Sequence, residues 1–337
     1  GAKQNNSATR FSFDMLGEGA RTEENAAQYL HAYASAIDEI GRHQPGENAY
    51  SANNSLYSAN GISVKLSALH PRYYFAQHLA VMEELLPRIK QLCLQAKKYN
   101  IGLSIDAEEA YRLDISLDIF EALAGDPDLD NWQGLGFVLQ AYQKRAPDTA
   151  KWLIGLARET NRRLMVRLVK GAYWDAEIKN AQELGLESYP VFTRKANTDL
   201  CYQHCAGILL DAEKEIYPQF ATHNAYTASM ILELAGEREF EFQRLHGMGH
   251  ILYAQLKKQQ RPIAVRVYAP IGNHKDLLPY LVRRLLENGA NSSFVNRFLD
   301  HQTPVEELLE DTRDQVTSSF PYQHKKIAIP EQIFSVA

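Results

Sequence analysis

Eight short runs of apolar and β-branched residues recur along the chain: Phe11–Leu16, Ile62–Ser67, Leu103–Ala107, Leu135–Gln140, Leu164–Val169, Gln219–His223, Phe240–Leu245 and Ile263–Ala269. Between and after them run longer amphipathic stretches: Thr22–Ile40, Tyr74–Tyr99, Glu108–Ala124, Ala150–Thr160, Asp175–Leu184 with Lys195–Lys214, Ala225–Ala235, Ile251–Lys258 and Lys275–Asn288. The alternation predicts eight βα units, and hence a closed (β/α)8 barrel, with a doubly wound open sheet as the alternative. Near-continuous apolar runs such as Leu-Gly-Phe-Val-Leu at 135–139 fit strands buried on both faces. The expected fold class is α/β: one domain over residues 1–337, a distorted TIM-type barrel. It carries an N-terminal helical segment and an extended peripheral tail over residues 299–337. Residues 44–61, rich in Asn, Ser, Gly and Ala, read as a flexible insertion in the first βα connection.

Composition narrows the function. A formal net charge of −5 argues against a nucleic-acid binder, which carries a basic excess. Cys93, Cys201 and Cys205 form no disulfide framework and no CxxC pair, which points to a reducing compartment. No apolar stretch reaches the ~18 residues that span a bilayer.

Barrel chemistry gathers at the C-terminal ends of strands. Here those ends carry Lys65, Asp106 with Glu108 and Glu109, Gln140, Arg167 with Lys170, Thr222-His223-Asn224, Gln243-Arg244 with His246, and Tyr268. Any one of them can be a satisfied structural residue. Seven strand ends patterned alike are harder to dismiss, because a buried charge is costly unless paired. Lys, Arg, Gln and Tyr dominate rather than His and carboxylates, so no metal is expected. A nucleophile elbow, a P-loop and a Gly-x-Gly-x-x-Gly turn are all missing from the sequence.

Two clusters fit ligand binding. Arg167, Lys170, Gly171 and Trp174 offer cations for phosphates, a close backbone approach and an indole to stack on a heterocycle. Thr193-Arg194-Lys195 is a second cationic group. Further on, Arg283 and Arg284 are adjacent on a helix-compatible stretch and point about 100° apart, so they can flank a small anion. From the residues alone, a basic loop and a surface helix with salt-bridged arginines stay open beside these readings. So do an FMN barrel and an amino-acid-binding barrel without redox chemistry.

Longer motifs go further. Asp14-Met-Leu-Gly-Glu18, the run Ser63–Tyr73, Ile105–Glu109, Arg167-Leu-Val-Lys-Gly-Ala-Tyr-Trp174, Ala221-Thr-His-Asn224, Leu245-His-Gly-Met-Gly249 and the run Tyr280–Asn291 resemble the proline dehydrogenase family. They are most similar to the proline dehydrogenase domain of the bacterial bifunctional flavoenzymes called proline utilization A. The resemblance runs in order from Arg10 to Pro330. It implies a distorted barrel with non-covalent FAD, oxidising L-proline to pyrroline-5-carboxylate by hydride transfer, with electrons then passing to a quinone. It implies Lys65, Asp106, Tyr268, Arg283 and Arg284 as catalytic residues. Substrate would be bound by Lys65, Leu245, Tyr268, Tyr280, Arg283 and Arg284, with Glu18 as a gate on Arg283. FAD would be lined by Asp106, Val138, Gln140, Arg167, Lys170, Gly171, Ala172, Tyr173, Trp174, Phe192, Thr193, Arg194 and Lys195. Its lining would continue through Thr222, His223, Asn224, Gln243, Arg244, Leu245, Tyr268, Glu287, Ser293 and Phe294. By the same resemblance, a full-length relative carries an aldehyde dehydrogenase module on the same chain, and this domain binds no nucleic acid. The expected location is cytoplasmic, with peripheral contact at the inner membrane during turnover. Two departures stand out: residues 44–61 are longer than the family pattern, and His250-Ile251 stands where that pattern has Glu-Pro.

Overall fold

The computed structural model describes residues 9–43, 56–258, 263–272, 277–278, 280–284 and 311–333. Three expected cofactor residues, Glu287, Ser293 and Phe294, lie outside the described residues, as do positions 44–55 and 299–310. Eight parallel strands close into a barrel in chain order: β1 (Arg10–Asp14), β2 (Gly61–Val64), β3 (Leu103–Ile105), β4 (Leu135–Gln140), β5 (Leu164–Val169), β6 (Ile216–Ala221), β7 (Glu241–Leu245) and β8 (Ala264–Pro270). β1 pairs with β8 in the register Ser12 to Tyr268, which closes the ring. The expected open-sheet alternative is therefore excluded.

Helices pack outside: α1 (Glu23–Arg42), α2 (His78–Lys98), α3 (Leu113–Ala124), α4 (Ala146–Glu159), α5 (Trp174–Glu183), α6 (Lys195–Asp211), α7 (Ala225–Ala235) and α8 (His250–Leu256). α1, the N-terminal helical segment, starts where the Thr22 hydroxyl accepts a hydrogen bond from Asn25 N. Its Glu23 and Glu24 lie at the positive end of the helix dipole. The helices bury Tyr33, Ile37, Val81, Leu85, Ile89, Phe120 and Leu153 against the strands' outer faces, in one continuous apolar shell. Each such side chain contributes about 1.5–3 kcal/mol on burial.

The barrel's inside is polar. Alternate residues of the strands bring inward a floor of Arg10, Tyr217, Glu241 and Arg266, with Gln219 and Gln243 above it. Arg266 donates to both Glu241 oxygens, at 2.6 and 3.1 Å, and to the carbonyls of Phe11, Tyr57 and Ala59. Arg10 adds a second cation 3.3 Å from Glu241. This floor leaves the strands' carboxyl ends as the place for chemistry.

The segment read as a flexible insertion needs correcting at its C-terminal end. In chain order it falls between α1 and β2. Leu56–Ser58 forms a helical turn with Leu56 and Tyr57 buried, and Gly61 already opens β2. Tyr57 stacks on Tyr217 at 4.3 Å between centroids, and its carbonyl accepts from Arg266 and Arg10. These contacts make residues 56–61 part of the barrel.

Candidate active site

At the carboxyl ends of the strands, four expected residues meet in one buried network. Lys65, just past β2, donates to Asp14 Oδ1 at 2.9 Å and to Asp106 Oδ2 at 3.3 Å. Tyr268, on β8, donates to Asp106 Oδ2 at 2.6 Å. Arg167, on β5, donates to Asp106 Oδ1 at 2.8 Å and to the Ser12 and Ser63 hydroxyls. Its guanidinium lies 5.1 Å from the centre of the Tyr268 ring. Two cations thus face two carboxylates, so neither charge is left unpaired in a dry interior. Burial alone would pull the Lys65 ammonium below the usual lysine range. The Tyr268 phenol and the Asp14 and Asp106 carboxylates outweigh it and hold Lys65 charged. Burial and the neighbouring carboxylates keep the Tyr268 hydroxyl protonated, as its donation to Asp106 requires.

A second arrangement closes over the first. Glu18 receives both terminal nitrogens of Arg283, at 2.6 and 2.9 Å. This is a bidentate ion pair, the strong geometry for guanidinium and carboxylate. Arg283 also lies over the Tyr173 ring at 5.2 Å, and Arg284 over the Tyr280 ring at 5.3 Å. Arg283 is thus salt-bridged, as the surface-helix alternative also expects, but it and Arg284 each pack on an aromatic face.

On the flank between β5 and β7, Lys170 and Lys195 share the carboxylate of Asp199, and Lys170 also reaches Thr227. Gly171 has φ +128°, and a Cβ there would come within 2.5 Å of the Tyr142 ring, so only glycine fits. Trp174 begins α5 and donates its indole N–H to the Phe192 carbonyl at 2.9 Å. Ala172 and Tyr173 bridge Gly171 to Trp174, and Val138 lies buried on β4 beside Arg167. Gln140 accepts from Gln143 at 2.6 Å. The His223 Nε2 accepts from Leu245 N at 3.1 Å. Burial, with Arg284 and Arg244 nearby, lowers the His223 pKa to about 4. At neutral pH this imidazole is uncharged, and the acceptor role of Nε2 puts its proton on Nδ1, ready to donate.

Several expected cofactor residues also have partners inside the protein. The Thr193 hydroxyl accepts from His324 N at 2.9 Å, and Arg194 Nε donates to the Gln323 carbonyl at 3.0 Å. The tail thus crosses the start of α6, where the sequence placed only ligand contacts. Asn224 caps α7 through Thr227 N, and Thr222 accepts from Asn224 N. Arg244 donates to the carbonyls of Leu245 and Met248, and Gln243 to Glu241. His250 opens α8 after Gly247 and Gly249, both at positive φ. Sequence reasoning singled out neither Asp199 nor the hydroxyls of Ser12 and Ser63 as site residues. The even spacing of Ser12 and Asp14 along β1 was the available signal, since it turns both inward.

Arg167 Nε is buried and finds no hydrogen-bond partner among the described residues, so it has a donor to spare. Lys170 and Lys195 gather on Asp199 beside Gly171, whose missing side chain leaves its backbone open to close approach.

Fold and site together define a (β/α)8 barrel with a buried cluster of paired cations and carboxylates at the carboxyl ends of its strands. The family model for proline dehydrogenase matches residues 1–297. The bifunctional protein PutA of Klebsiella aerogenes is 51% identical over 341 residues, covering 96% of this chain and 25% of the relative. Proline dehydrogenase 1 of Bacillus subtilis (strain 168) is 29% identical over 297 residues, covering 86% of this chain and 82% of the relative. A crystal structure of a point variant of Bradyrhizobium japonicum proline utilization A superposes with a TM-score of 0.92 at 53% identity, covering 98% of this chain and 34% of that one. The chain belongs to the proline dehydrogenase family of oxidoreductases. It spans about a quarter of the length of its PutA relatives. Among the described residues, no helix is long and apolar enough to cross a membrane.

Proposed function

We propose that this domain oxidises L-proline to pyrroline-5-carboxylate with non-covalently held FAD, and that the electrons leave to a quinone. The reading is supported by the buried Lys65–Asp106–Tyr268–Arg167 network at the strand ends and by the Glu18–Arg283 pair, which lies near enough to Tyr268 and Tyr173 to interact with them electrostatically, in a chain of this family. Lys65 and the two arginines would hold the proline carboxylate. Tyr268, Tyr280 and Leu245 would pack on the pyrrolidine ring. A carboxylate held at one end fixes the ring carbon at the other, and such orientation is worth several kcal/mol of barrier. Bound FAD would supply the hydride acceptor, beside the ring nitrogen in its unprotonated form. Arg167, whose Nε has no partner among the described residues, would stabilise negative charge developing nearby. Lys170, Gly171 and Lys195 would hold the pyrophosphate, and Trp174 the adenosine. In a longer chain of the PutA type, the product would pass to an aldehyde dehydrogenase module. The quinone implies peripheral contact with the inner membrane during turnover.

The Glu18–Arg283 pair would act as a gate that orients Arg283 and excludes water. Glu18→Ala is expected to lower kcat/KM for L-proline by roughly 5- to 150-fold, since leaving a buried charged group unpaired costs about 1–3 kcal/mol. The assay is proline-dependent reduction of a soluble quinone by the wild type, Glu18→Ala, Arg283→Met and the double variant. Absence of quinone reduction by the wild type would sink the function. Strict additivity across the four proteins would sink the gate.

A further inference from the structure

Asp14 ends β1 and is buried to 1% exposure, yet the reading above gives it no role. Three separate contacts converge on it. Its Oδ1 accepts from Lys65 Nζ at 2.9 Å, closer than the 3.3 Å from Lys65 to Asp106. The same oxygen accepts from Leu16 N at 3.0 Å. Its backbone carbonyl accepts from Ile271 N at 2.6 Å, at the far end of β8.

The Leu16 contact has a particular consequence. Leu16 has φ +58°, a left-handed conformation that costs a branched side chain about 1–2 kcal/mol. An aspartate two residues earlier, bonding the backbone N–H, stabilises such a turn. The turn sends the chain through Gly17 to Glu18, the partner of Arg283. Leu16 itself is buried and lies against Gly272, just past β8. One carboxylate therefore touches the Lys65 arm directly and shapes the loop that aims Glu18 at the Arg283 arm.

We propose that Asp14 is a positioning residue that sets both arms of the carboxylate clamp, Lys65 by direct contact and Arg283 through the Leu16 turn and Glu18. Asp14 touches no substrate in this account. It acts because Lys65 has other buried neighbours to drift toward: Asp106 on β3, the Tyr268 phenol on β8 and the Tyr33 phenol on α1. With Asp14 removed, the ammonium would settle on Asp106, away from β1. The Leu16 turn would relax, and Glu18 would lose its aim.

The inference rests on the proline-carboxylate reading, and the test separates the two. The probe is tetrahydrofuran-2-carboxylate, which keeps the carboxylate and ring of proline but has no amine to oxidise. Its dissociation constant is measured by calorimetry on the flavin-loaded protein. Asp14→Ala is expected to weaken probe binding by tenfold or more, and to raise KM for proline while changing kcat less. Asp14→Asn keeps an oxygen for Leu16 N and for Lys65, so it is expected to recover most of that loss. In a Lys65→Met background, Asp14→Asn should cost nothing further. In an Asp14→Ala background, Glu18→Ala should lose most of its own effect. Wild-type affinity in Asp14→Ala, while Lys65→Met and Arg283→Met bind poorly, would overturn this inference alone. Equal losses in Asp14→Ala and Asp14→Asn that add fully to Lys65→Met and Glu18→Ala would overturn it too. Failure of the wild type to bind the probe would bring down the carboxylate reading, and this inference with it.

Discussion

Replacing Arg266 by Met is expected to destabilise the barrel by about 3–5 kcal/mol, the cost of removing one partner from a buried ion pair. Glu241 is wholly buried, and Arg266 supplies its two-pronged partner along with three backbone contacts across β1 and the turn before β2. Arg10, at 3.3 Å and partly shared with Tyr217, cannot replace it. The change is read as a lower midpoint of urea unfolding. Its pH dependence follows from the direction of the Glu241 shift. Burial pushes that carboxyl up, but Arg266, Arg10 and Gln243 outweigh burial and hold it below the ordinary glutamate value. A depressed folded pKa adds stability that is present above the unfolded value of about 4.3 and lost as pH falls through the folded one. The gap between wild type and Arg266→Met should therefore narrow in acid. A gap that stays constant down to low pH would mean that the ion pair is not its cause. Glu241→Gln in the Arg266→Met background should recover part of the loss, because a neutral amide is easier to bury than an unpaired carboxylate.

The second large effect concerns substrate. Arg283→Met and Arg284→Met are each expected to raise KM for L-proline by roughly 30- to 5,000-fold, as truncation of one member of a desolvated charge pair costs about 2–5 kcal/mol. Flavin content should change little. Lys170, Gly171 and Lys195, the groups assigned to the cofactor's phosphates, gather around Asp199 and Tyr142, while Arg283 and Arg284 pack on Tyr173 and Tyr280. The two readouts are steady-state kinetics and the ratio of flavin to protein absorbance. Near-normal KM in both variants would return the arginines to the solvent-facing role that spacing alone left open.

How far these effects were legible beforehand differs from residue to residue. β4 and β5 were readable to the residue, because Leu135–Gln140 and Leu164–Val169 are compact apolar runs closed by polar strand ends. β6 was harder. Pro218 lies inside it and lacks an N–H for the ladder, so the sequence pattern places its start at Gln219, although pairing with β5 begins at Ile216. Lys65, Asp106, Arg167 and Tyr268 were legible as strand ends, since closure of a barrel must bring such ends together. The partner of Arg283 was not legible from spacing. Glu18 lies 265 positions away in sequence, and only the motif resemblance linked the two. Asp14, Asp199 and the Arg266–Glu241 floor were hidden for a related reason. Each is defined by contacts between strands or helices far apart in the chain, and apolar periodicity carries no information on which inward polar groups will meet.

The most direct measurement is the visible absorbance of the purified protein under anaerobic conditions, before and after adding millimolar L-proline. A bound flavin that accepts hydride from proline predicts a yellow protein with bands near the blue edge of the visible range, bleached when proline is added. The same addition to Arg284→Met should bleach it only at far higher proline. A colourless protein would contradict the cofactor assignment, and a flavin spectrum unmoved by L-proline would contradict the substrate assignment on which the rest depends.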